Sequence, residues 1–308
     1  MVTVALIDVA LVGLLAVVIL RARAALRYPR ARIAWWGALV GAVALLTQGT
    51  VIPLAQLDGV LGGTNVLKLV QNVLTMVALW LGIQAGTAPV SARVHTLRWR
   101  FPVLLGILFA VVFFVALPER GTSSFRFVED AAETSTGAWL YGVVHMAGIA
   151  LVGALLFRSA RGSLPAVRPF FRVGAVGIVL GCVSEILDLT LTRFFGTNLV
   201  VGALFDPLFY LGVVAFVVGI LRASRASARI RRRGEELLAR LGDLARRRGV
   251  RRLAAVSSDA PLDSRLHALR VAIEDAAIAA SSPLTGEQRA LLDDVDAHLT
   301  RQTMGARA

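Results

Sequence analysis

Seven apolar stretches, each close to the length a helix needs to cross a bilayer, constrain this chain more than any other feature. A hydrocarbon layer of roughly 30 Å takes about 20 largely apolar residues at about 1.5 Å apiece. Such stretches run over residues 2–20, 33–54, 64–85, 101–117, 138–157, 170–193 and 203–221, bounded by loops containing Arg, Gly or Pro. Hydrophobic residues make up 56% of the 308 and charged residues 17%, with a mean hydropathy of +0.71. An ordinary cytosolic enzyme is excluded by that balance. The expected fold is all-α: a polytopic membrane protein with seven transmembrane helices over 1–222, an Arg-rich juxtamembrane helix over 223–252 and a small cytoplasmic helical hairpin or bundle over 253–308.

The net charge of +13 could suggest nucleic acid, but the basic residues sit beside the apolar stretches, so topology is the first reading and no nucleic-acid partner is expected. Arg21, Arg23, Arg27, Arg30 and Arg32 fill the first loop, Arg93, Arg98 and Arg100 the third, and Arg158, Arg161, Arg168 and Arg172 the fifth. The alternate loops hold only Arg120, Arg126 and Arg193. Basic loops stay cytoplasmic, which puts the N-terminus outside and the tail inside. A cleaved signal peptide over 1–24 is disfavoured because its basic residues follow the apolar stretch instead of preceding it. The outer loop 118–137, with Glu119, Glu129, Asp130 and Glu133, lacks a helical apolar pattern and reads as a linker, with a polar lid as the alternative.

After the seventh stretch, Ile230, Leu237, Leu241 and Leu244 recur at helical spacing among many Arg. Such a helix is expected to lie against the anionic inner leaflet, making anionic lipids a partner. Further on, Leu262, Leu266, Leu269, Ile273 and Ala277 form one apolar stripe, and Leu284, Leu291, Leu292, Val295 and Leu299 another. Pro283 and the Thr285-x-x-Gln288 capping pattern separate them. These helices are too few to bury a large core alone, so they would pack on the membrane domain, a second copy or a cytoplasmic protein partner. His267 has no acidic neighbour to assist phosphotransfer and reads as a surface residue.

Polar groups inside a span are costly and mark function by default. Asp8, Gln48, Lys68, Gln71, Asn72, Thr75, Tyr141, His145, Ser184, Glu185, Asp188 and Asp206 all fall in or at the edge of the spans. Lys68, Gln71, Asn72 and Thr75 share one helical face, and Gly181, Ser184, Glu185, Asp188 and Thr192 share another. Both faces must point into the bundle, and in the topology above they lie toward the outer side. The candidate ligand-binding set is Lys68, Gln71, Asn72, Tyr141, His145, Ser184, Glu185 and Asp188. Lys68, the single lysine, is expected to pair with Glu185 or Asp188, then with Asp206.

Several chemistries fail on residue inventory. A membrane zinc hydrolase needs several intramembrane His, and His145 stands alone in the spans. A retinal protein needs a Lys in the middle of the last span, which has none. No phosphate-cradling loop, nucleophile elbow or HExxH helix is present, so neither an enzyme nor a cofactor is expected.

Three features together resemble an uncharacterised group of actinobacterial seven-span proteins classed as transporters with a cytoplasmic helical domain. They are the Arg-rich first loop, Gly63-Thr64-Asn65-Val66-Leu67 following Asp58, and the tail segment Leu266-His267-Ala268-Leu269-Arg270-Val271-Ala272-Ile273-Glu274-Asp275. The resemblance implies a bacterial plasma-membrane protein with no assigned substrate. The functional expectation is a receptor or sensor-like module whose outward polar pocket binds a small molecule and relays to the tail. A small-solute transporter using the same pocket is the alternative, and a structural or assembly subunit the second alternative.

Overall fold

Lipid-length apolar segments with occasional breakers fold here into helices throughout. The computed structural model describes the chain apart from residues 1, 28, 87–91, 119, 122, 164, 197–198, 251–259 and 308. Inside helices it also leaves undescribed the side chains of 2, 27, 29–30, 86, 92–98, 162, 199–200 and 301–307. The inner-loop Arg27, Arg30, Arg93 and Arg98 and the outer-loop Glu119 fall outside the described residues.

The elements are α1 (Val2–Arg27), α2 (Pro29–Leu46), α3 (Leu54–Gly59), α4 (Val66–Gly86), α5 (Ala92–Ala116), α6 (Phe127–Ala132), α7 (Thr136–Ser159), α8 (Arg168–Phe195), α9 (Leu199–Arg247), α10 (Leu262–Ala279) and α11 (Gly286–Arg307). Six of them, α1, α4, α5, α7, α8 and α9, are long and apolar enough to cross a membrane among the described residues. The chain is a multi-pass membrane protein. Of the seven expected spans, the second is cut short: α2 ends at Leu46 instead of running to Leu54. Gly49 turns the chain at φ +87°, where a Cβ would lie 3.1 Å from that of Leu54, and Pro53 then opens the short α3. Polar Thr47 and Gln48 ahead of a left-handed glycine stop the helix before the apolar count does.

The helices divide into two units, Met1–Leu221 and Arg222–Ala308, and the boundary falls within α9. In the first unit α2 packs between α1 and α4, α4 packs on α7, and α7 packs on α8. Its core holds Ile7, Met76, Phe109, Phe113, Tyr141, Ile149, Ile178 and Leu189. Helix α8 shows what solvent it is built for. Val173, Val176, Leu180, Val183 and Leu187 form an exposed apolar stripe, whereas Ser184, Glu185 and Asp188 face inward. Apolar outside and polar inside is the arrangement expected in lipid. Small residues bring α8 and α9 together: a Cβ on Gly177 would meet Gly212 Cα and the Leu208 carbonyl oxygen at 2.9 Å.

The second unit is a three-helix bundle. Leu237, Leu241, Leu244 and Ala245 of α9 are buried with Leu266, Leu269 and Ile273 of α10 and with Leu292 and Val295 of α11. Of the apolar stripe of the Arg-rich helix, expected against a lipid leaflet, Leu237, Leu241 and Leu244 are therefore covered by protein, while Ile230 is exposed. Its spacing marks an amphipathic helix but does not name the apolar surface it meets. The Thr285/Gln288 capping box forms as expected, Gln288 N–H donating to Thr285 Oγ1 and Thr285 N–H to Gln288 Oε1, both at 3.3 Å. Arg248 donates to the Ser282 carbonyl at 2.8 Å and to Gln288, tying the end of α9 to the α10–α11 turn. Arg270 lies 2.9 Å from Glu274 and 2.6 Å from Asp296, and the Asp296 contact leads in raising the guanidinium pKa above its usual value.

Candidate functional site

The site is anchored by a buried aspartate. Asp58, at the end of α3, is 0% exposed, and its carboxylate receives three hydrogen bonds. The N–H groups of Asn65 (2.6 Å) and Leu67 (2.7 Å) donate to it, as does Ser123 Oγ (2.5 Å). It thereby caps the N-terminus of α4, where unpaired amides and the helix dipole favour a negative charge. Asn65, at φ 60°, continues the tie: its Nδ2 donates to the Arg120 carbonyl (2.6 Å) and its Oδ1 accepts from Ser124 N–H (2.9 Å).

Through these bonds the segment after α5 is fastened over the end of α4. The expected linker over 118–137 is in fact structured: it contains α6, whose Phe127, Val128 and Ala132 join the core and which packs on α7 and α8. Three apolar residues within six are enough for one buried helical turn, too short a signal for a periodicity reading to register.

Beneath this cover lies a cavity of about 420 Å³. Helix α4 supplies Lys68, Gln71, Asn72 and Thr75 to its wall, α7 supplies Gly142, His145, Met146 and Ile149, and α8 supplies Glu185, Asp188 and Leu189. Gly202, Phe205, Asp206, Phe209 and Tyr210 come from α9, Val128 and Glu129 from α6, and Gln48, Phe125 and Arg126 from the loops. Of the eight expected ligand-binding residues, Lys68, Gln71, Asn72, His145, Glu185 and Asp188 therefore meet at one cavity.

The other two sit behind the wall. Tyr141 is fully buried and its hydroxyl accepts from Asn72 Nδ2 at 2.8 Å, positioning that amide. Ser184 Oγ donates to its own helix at the Gly181 carbonyl, 2.7 Å away. Such back-bonding to the preceding turn is how a helical Ser satisfies itself without a partner elsewhere. Asp8, also inside a span, is exposed on α1.

The expected ion pair of Lys68 with a carboxylate does not form. Its ammonium donates to the Phe125 carbonyl at 3.0 Å and stands 5.1 Å from the Phe125 ring centre. The reason is local: the Asp58–Asn65–Ser124 bonds carry the Phe125 backbone to the first turn of α4, and a peptide carbonyl there satisfies the cation. Sequence reasoning missed this because a backbone oxygen has no residue type to read. It also left Phe125, Arg126 and Glu129 out of the site, since their segment read first as a linker and only second as a lid, and it left out the aromatic residues of α9, which look like ordinary span residues.

The carboxylates differ in how they are held. Asp206 accepts from Thr3 Oγ1 at 2.8 Å. Asp188 lies against Gly202, where a Cβ would come within 2.9 Å of its Oδ2, so only glycine lets the α9 backbone approach so closely. Glu185 is 4% exposed, and among the described residues no group donates to it. His145 is 7% exposed, between the rings of Phe109 (5.2 Å) and Tyr141 (6.2 Å), and its Nε2 has no partner. Buried polar groups are nearly always hydrogen-bonded, so these two stand out from the rest of the interior. Polar side chains on α4, α7 and α8 thus converge on one cavity. Comparison of the chain with protein-family models, curated proteins and solved structures returns no match.

Proposed function

We propose that this chain is a receptor-like module of a bacterial plasma membrane, in which the cavity opens outward, binds a small solute and signals through α9 to a cytoplasmic bundle. The observation that carries this reading is the double membership of α9. It contributes Gly202, Asp206, Phe209 and Tyr210 to the cavity wall, and Leu237, Leu241 and Leu244 to the core of the second unit. A solute that shifts α9 shifts an element on which the bundle is built, so its differential affinity for two positions of that helix is the free energy available for signalling.

The alternation of Arg-rich loops supports the outward cavity and the inward tail, with α2 counted as a short seventh crossing. The exposed Arg residues that flank the bundle segment of α9 support an attraction to anionic lipid headgroups. The bundle itself would engage a cytoplasmic partner or a second copy.

The test uses the full-length chain in lipid nanodiscs. Solutes found by their effect on melting temperature are examined by hydrogen exchange across residues 222–308, and in parallel for flux into proteoliposomes. A receptor responds with changed exchange in α10 and α11 and no flux. Flux without any change in the tail would instead establish the transporter reading.

A further inference from the structure

We propose that the cavity takes a small organic cation, an ammonium or protonated amine carried on a flat apolar body. This rests on the reading of the cavity as a solute site and adds the class of solute. Charge is the first observation: Glu129, Glu185, Asp188 and Asp206 border the cavity against two basic residues, Lys68 and Arg126. The second is how those groups are already engaged. Lys68 is satisfied by the Phe125 carbonyl and ring, and Asp206 by Thr3. Glu185, 96% buried by its 4% exposure, receives no donor among the described residues, and Glu129 Oε2 is buried without a partner.

A desolvated carboxylate with no donor is costly, and a ligand bearing charged N–H groups removes that cost when it enters. An anion would add to it.

Aromatic faces supply the rest. Phe205, Phe209 and Tyr210 border the cavity on α9 and Phe125 borders it from the loop, and the ring centres of Phe205 and Phe209 lie 5.3 Å apart. Ring faces attract cations and stack on flat apolar bodies. A bare metal ion fits less well, since among the described residues no three His, Cys, Asp or Glu side chains converge as a ligand set. The volume of about 420 Å³ suits a bicyclic amine and leaves room for water.

Three probes with one ring system separate the readings: tryptamine, 3-ethylindole and indole-3-acetate, whose side arms are cationic, neutral and anionic. Binding is measured by calorimetry on the full-length protein in nanodiscs. Tryptamine is expected to bind about tenfold more tightly than 3-ethylindole, with indole-3-acetate weakest. Glu185→Gln should lose about tenfold for tryptamine and leave 3-ethylindole unchanged; if that variant does not elute as folded protein, Glu129→Gln should show the same pattern at about threefold. Indole-3-acetate or 3-ethylindole binding as tightly as tryptamine would overturn the cation inference while leaving a solute cavity standing. An unchanged tryptamine affinity in the folded variants would do the same. Silence from all three probes would overturn the inference of an amine on a flat apolar body, and the cavity reading would then rest on the solute screen alone.

Discussion

Asp58 and Glu185 are both buried carboxylates in the first unit, and they are opposites. Asp58 receives three hydrogen bonds and joins α3, the start of α4 and the segment after α5. Glu185 is almost as buried and receives none among the described residues. Burial costs a carboxylate heavily unless donors replace its water, so the first is a structural device and the second a retained liability. Lys68 borders the same cavity as Glu185, and its bond to the Phe125 carbonyl depends on the ties that Asp58 organises.

The contrast orders the expected effects of substitution. Asp58→Ala should be the most damaging, removing a cap worth about 1 kcal/mol and orphaning buried donors at about 1 kcal/mol or more each, for about 3 kcal/mol in all. Denaturant titration of the full-length protein in detergent reads the loss; a change below about 1 kcal/mol would mean that the knot can be replaced by water. Tyr141→Phe should cost less, about 1 kcal/mol, because it unpairs only Asn72 Nδ2 at the edge of the cavity. The same titration checks it, and a loss equal to that of Asp58→Ala would erase the gradation from well-held to bare polar groups.

Legibility in the sequence followed signal length. Spans of about twenty residues, the two stripes of the tail and the capping box at Thr285 could all be read, because each repeats a pattern over several turns or fixes a spacing. The facing polar rows of α4 and α8 likewise placed Lys68, Gln71, Asn72, Glu185 and Asp188 at one cavity wall. Ser184 shares the α8 row yet bonds its own backbone, since periodicity assigns a face to a residue but not a partner. Gly49 shortened α2 through a positive φ that an apolar count does not register. The single turn of α6 and the Phe125 carbonyl were illegible for the opposite reasons: one is too short for a period, and the other carries no side chain. In the tail, the amphipathic spacing of α9 was clear, but whether lipid or protein covered the apolar face depended on helices some thirty residues away in sequence.

The central claim is that the charge of Glu185 serves a ligand and holds nothing together in the empty protein. It is tested most directly by comparing the melting temperatures of Glu185→Gln and the parent in the same nanodiscs without added solute. The expected result is no loss, or a small rise, because among the described residues no donor loses a partner when the Glu185 carboxyl is replaced. A fall as large as that of Asp58→Asn, measured alongside, would show that Glu185 is part of the scaffold and would contradict the account.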